Sequence, residues 1–138
     1  MSIALAMVCC ASFAQTKLTV EKVAGVYKPG IEHGKLDKEG QEKARKYKAA
    51  VANGSMKLHK DKTFGVSIAG RVMVGTWSIS GDVITIHVKE IVGMTEKQVK
   101  NLPASEREGK FKVLENGKLV SMPIPAKGQP TLVWKKLP

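Results

Sequence analysis

The stretch that decides the fold is residues 55–90, SMKLHKDKTFGVSIAGRVMVGTWSISGDVITIHVKE. Met56 and Leu58 alternate with Lys57 and His59. Phe64, Val66 and Ile68 alternate with Gly65, Ser67 and Ala69. Met73, Gly75, Trp77 and Ile79 share one face of the next run, and Val72, Val74, Thr76 and Ser78 the other. Ile84, Ile86 and Val88 alternate with Thr85, His87 and Lys89. A period of two places alternate side chains on opposite faces of a strand, so these are four half-buried strands. Lys60-Asp61-Lys62, Ala69-Gly70-Arg71 and Ser80-Gly81-Asp82 are the turns between them.

The pattern extends in both directions. Val23 to Lys28 is expected to be a first strand, stopped by Pro29-Gly30. A helix follows over Lys38–Ala52, capped by Asp37 and ended by Asn53-Gly54, with Ala44, Tyr47 and Val51 as its apolar face. Gly40 weakens its first turn and argues for a start a few residues later. Thr95 and Gln98 have capping-box spacing, predicting a short helix from Glu96 to Asn101 before Pro103. Lys110–Leu114, Asn116-Gly117 and Lys118–Met122 form a hairpin signal, and Thr131–Leu137 is a last strand. The total is seven or eight short strands in hairpin succession. Such a meander manages its edges by curling into a barrel or a strongly bent sheet.

The chain has 138 residues, 43% hydrophobic and 25% charged, enough for one ordinary domain and against disorder. The run Ile3–Ala14 (IALAMVCCASFA) is uncharged. As a helix it would span about 18 Å, against roughly 30 Å of hydrocarbon, so it is too short for an anchor. Its length and the small residues Ser12 and Ala14 fit a secretory signal cleaved after Ala14. No basic residue precedes it, which suggests a start further upstream; the other reading is an N-terminal strand or helix of the domain. Residues 1–14 are thus expected to be a signal and 15–138 a single exported domain, periplasmic or extracellular. Cys9 and Cys10 fall inside the signal. Val8 before Cys9 does not match a lipidation site.

Gly25-Val26-Tyr27, Leu58–Phe64 (LHKDKTF) and Gly75–Asp82 (GTWSISGD) together resemble small secreted bacterial lipocalin-like, calycin-type domains. The resemblance covers roughly residues 23–90 and, loosely, the final strands. This chain departs from the family pattern in Tyr27, where Trp is usual, in a helical insertion at 37–53, and in Lys62, where the turn usually has Gly. The resemblance implies an up-and-down antiparallel β-barrel, closed or half-open, with an interior able to hold an apolar ligand; the helix after the first strand is this chain's own addition. The interior set would be Tyr27, Leu58, Phe64, Met73, Trp77, Ile84, Ile86, Phe111 and Trp134.

The formal net charge is +11, and residues 1–14 contribute none of it. Such a surplus favours acidic partners. Its densest point is Lys43, Arg45, Lys46 and Lys48, a candidate anion-binding surface. The competing reading is a solvated helix with Glu39 and Glu42 paired to Lys43 and Lys46. Only Tyr47 supplies an aromatic within this run, which argues against nucleic acid. His33, His59 and His87 lack metal-ligand spacing, and Met56, Met73, Met94 and Met122 fit core packing better than copper. No nucleophile elbow, phosphate loop or metalloprotease motif is present, so no enzyme activity, metal or cofactor is expected. Two functions stand: binding of a small apolar ligand, or a basic interaction module for anionic envelope components. A monomer without a transmembrane span is expected in either case.

Overall fold

A computed structural model describes residues 18–138; the expected signal, with Cys9 and Cys10, lies outside them. Eight strands follow in order: β1 (Gly25–Glu32), β2 (Ser55–Leu58), β3 (Thr63–Ile68), β4 (Arg71–Ser80), β5 (Val83–Ile91), β6 (Glu108–Val113), β7 (Leu119–Ser121) and β8 (Thr131–Lys136). Each pairs antiparallel with the next, and β8 returns to β1 along Tyr27↔Lys136 through Glu32↔Thr131. The sheet is therefore a closed barrel. Closure removes the free edges that an open meander would leave for intermolecular pairing.

The alternation read from the sequence fixes the inside. Met56 stands opposite Tyr27 and Val66, Phe64 opposite Leu58 and Gly75, and Trp77 opposite Ile86. Tyr27, Met56, Leu58, Phe64, Trp77, Ile84 and Leu119 are all at most 2% exposed. Full burial of such side chains contributes about 1.5–3 kcal/mol each. Trp77 donates from Nε1 to the His59 carbonyl (2.9 Å), which gives the ring's polar atom a partner. Phe111 and Trp134 meet edge to face at 6.4 Å between centroids. The outward positions carry Lys28, Lys57, Thr76, Ser78, Thr85 and His87. Gly75 lies where β4 presses closest on β5. A Cβ there would collide with the His87 carbonyl and the Phe64 ring. A bulge at Val74/Gly75 makes Lys89 the extra residue on β5.

Two turns use the left-handed region without glycine. Lys62 has φ 69° and Ala69 φ 53°, the latter followed by Gly70 at φ 76°. Asp61 ties the first turn together, accepting from the Thr63 amide (3.0 Å) and hydroxyl (2.6 Å). These two hydrogen bonds hold its carboxyl below the usual carboxylate range.

Pro29-Gly30 does not stop the first strand. β1 runs on to Glu32, with Pro29 opposite Trp134 on β8. Its ladder with β2 covers only Gly25–Tyr27. Beyond that point the β2 side is edge-like, where a missing N–H is tolerated. Nor does the strand begin at Val23. Val23 ends a short helix, α1 (Val20–Val23), capped by Thr19. α1 closes one end of the barrel: Val23 is 2% exposed and accepts from the Tyr27 hydroxyl at 2.6 Å. The Lys136 ammonium donates to the Lys22 carbonyl beside it (2.7 Å).

Three helices serve the opposite rim, where β1 ends and β2 begins. α2 (Lys38–Val51) starts where Asp37 caps it, accepting from Gly40 N at 2.6 Å. Gly40 does not delay the helix; it enables the contact, since a Cβ there would run into the Gly128 carbonyl. Asp37 N also donates to Gly128 O, and the Gln129 amide reaches the Asp37 carboxylate. α3 (Glu96–Lys100) carries the expected capping box, with Thr95 and Gln98 bonded reciprocally, and drives Val99 into the core. α4 (Ala104–Arg107) was not expected; it packs on β5 and β6. None of the helices among the described residues is long and apolar enough to cross a membrane.

Candidate functional site

α2 lies against β1, and its packing phase selects which cations gather. Ala44 is the helix residue pressed down, at 8% exposure. On a 3.6-residue helix, Gln41, Arg45, Lys48 and Val51 lie on the flank that Ala44 defines. They form one wall of a cleft of about 540 Å³, with Gly30, Ile31 and His33 of β1 and the loop after it as the other. Ile31, Ala44 and Val51 are its apolar floor. Arg45, Lys48, His33 and Gln41 are its polar groups, and no carboxylate lines it.

The sequence grouped four cations, and the structure divides them. Arg45 and Lys48 enter the cleft. Lys43 and Lys46 do not line it. Lys43 approaches Glu39 at 4.0 Å, as expected for that spacing, but no ion pair forms between Glu42 and Lys46. Among the described residues, Arg45, Lys46 and Lys48 have no carboxylate within 4.0 Å. Tyr47, read as part of the apolar face, is 39% exposed. His33 Nδ1 donates to the Gly34 carbonyl (2.9 Å), which orients the ring at the rim. His33 and Gln41 are site residues that the sequence did not single out. Gln41 carried a signal, since it stands one helical turn before Ala44 and Arg45; His33, in a Gly-rich loop, carried none.

Chemically, the cleft offers two permanent cations, an amide and an imidazole above an aliphatic base. An arginine fork and a mobile ammonium suit phosphate, sulfate or carboxylate groups. With no acid in the cleft, an incoming anion would displace no internal salt bridge.

The nine interior residues are brought together on the inner face. Tyr27, Leu58, Phe64, Trp77, Ile84, Ile86, Phe111 and Trp134 belong to one buried cluster, and Met73 packs against it half-buried. His87 stands on the outer face, 3.6 Å from Glu108. His59 and Asp61 belong to the β2–β3 turn. Among the described residues, no group of three His, Cys, Asp or Glu side chains is close enough to hold a metal ion. No family model matches the chain, and no curated protein or solved structure matches it either.

Proposed function

We propose that this is an exported, lipocalin-like basic interaction module that binds anionic components of the cell envelope through the α2–β1 cleft. The observation that carries the reading is the cleft's composition: Arg45 and Lys48 converge with His33 and Gln41 over an apolar floor, with no carboxylate among the lining residues. The net charge of +11 supports it at longer range, because a surplus of positive charge steers anions towards the protein. In this reading the nine interior side chains build the scaffold that presents α2, rather than the recognition surface.

Retention on immobilised heparin and on vesicles of anionic lipid tests the proposal. Retention should weaken steeply with salt, since exposed charges are screened beyond about 8 Å at physiological ionic strength. Two paired variants separate the cleft from the helix's net charge. Arg45→Gln with Lys48→Gln should weaken retention more than Lys43→Gln with Lys46→Gln, although each removes two charges. Equal losses would mean that bulk charge alone is at work. Retention unchanged after all four substitutions would refute the role of α2.

A further inference from the structure

A second cleft, of about 840 Å³, opens where β5 leaves the barrel beneath α3. Its floor is Val88, Ile91, Met94 and Val99. Three of these are core residues, at 8%, 4% and 3% exposure, so the cleft looks directly onto the barrel's apolar interior packing. The apolar surface continues outward through Val74 (38% exposed) to Val92 (74%). Val92 is the most exposed of the large aliphatic side chains among the described residues, and such a side chain beside a cleft marks a binding surface better than a scattered one does.

Charged groups line the rest: Lys89, Lys100 and Arg107 with Glu90 and Glu96. Glu96 is occupied by Lys100 at 3.1 Å. Arg107 is different. Its Nε donates to the Leu102 carbonyl at 3.0 Å, which fixes the plane of the guanidinium. Its two terminal nitrogens have no protein acceptor among the described residues. A guanidinium held through Nε presents its remaining N–H groups as a ready fork for a carboxylate. Lys89, the extra residue of the β5 bulge, also faces this cleft; bulges recur next to sites because they re-aim a side chain.

We propose that this cleft binds a small amphiphilic monocarboxylate, its carboxylate on Arg107 and its alkyl chain along Val88, Ile91, Met94 and Val99 and out against Val92. The lining contains aliphatic and charged side chains but no neutral hydrogen-bonding side chain. The amide groups of a peptide would therefore find few partners, whereas an alkyl chain needs none. No residue is shared with the α2–β1 cleft, so this site stands or falls on its own.

Calorimetric titration with decanoate, kept below its micelle-forming concentration, tests the proposal, with decanol and acetate as controls. Saturable binding of one decanoate per chain is expected. Decanol, which keeps the tail and loses the charge, should bind at least about tenfold more weakly, and acetate should not bind measurably. Arg107→Gln and Val92→Asp should each weaken decanoate about tenfold. Val92 is exposed, so that variant decides the matter even if Arg107→Gln disturbs folding. Absence of saturable decanoate binding, equal affinity for decanoate and decanol, or full affinity in the Val92→Asp variant would overturn the proposal.

Discussion

Replacing Tyr27 with phenylalanine removes a single oxygen from the barrel's sealed end. The ring is 1% exposed and packs as Phe would; only the hydroxyl's 2.6 Å hydrogen bond to the Val23 carbonyl is lost. That leaves a buried acceptor without a partner, a loss of about 1–3 kcal/mol. The melting temperature should fall by roughly 4–10 °C. The pH dependence is the sharper signature. Burial pushes the Tyr27 phenol from 10.0 up to about 12. A raised folded-state pKa means that the stabilisation is complete below pH 10 and is lost as pH climbs from there towards 12. At pH 11 the wild type should have lost about 1.4 kcal/mol through this group, and the Phe variant none. Every other ionisable group is common to the two proteins, so its effect cancels in the difference. Urea unfolding followed by far-ultraviolet circular dichroism, at neutral pH and at stepped alkaline pH, measures it. The stability gap between the two proteins should narrow as pH rises above 10. A gap that stays constant across that range would refute the argument that burial holds this phenol protonated.

Gly40→Ala should destabilise the protein by about 2 kcal/mol despite alanine's better helix propensity, because the new Cβ meets the Gly128 carbonyl; thermal unfolding reads this directly. Ala69→Asn should stabilise by about 0.5–1 kcal/mol, since asparagine tolerates the left-handed conformation at φ 53° that alanine resists, and the melting temperature should rise. Addition of neutral apolar compounds should leave the emission of Trp77 and Trp134 unchanged, because both rings are already enclosed at 2–3% exposure by neighbouring side chains; a saturable shift would show that the interior admits a ligand.

The strands of residues 55–90 were readable because the deciding information is local. A period of two assigns each side chain to a face before any partner strand is known. The Asp37 cap and the Thr95/Gln98 capping box were readable for the same reason: cap and amide are three residues apart. What escaped the sequence depends on contacts between distant segments. Whether Pro29 ends a strand depends on whether a neighbour needs its N–H, and β2 ends its pairing just before that point. Whether Gly40 is a defect or a requirement depends on Gly128, far along the chain. The basic run of α2 was plain in the sequence. Its division into two cations that face the cleft and two that do not follows from the helix's rotation against β1, at which Ala44 and Val51 hinted while Tyr47 pointed the other way. The second cleft had no local signature at all. It is assembled from a bulge, a capped turn of helix and Arg107, and the short helix α4 that places Arg107 was not foreseen.

The most direct test of the α2–β1 reading is a proton–nitrogen correlation NMR titration with a short heparin-derived oligosaccharide. Saturating shifts should concentrate on residues 30–33 and 41–51 and fade as salt is raised. Shifts spread evenly over the outward lysines, such as Lys57 and Lys135, with no focus on Arg45 and Lys48, would contradict it.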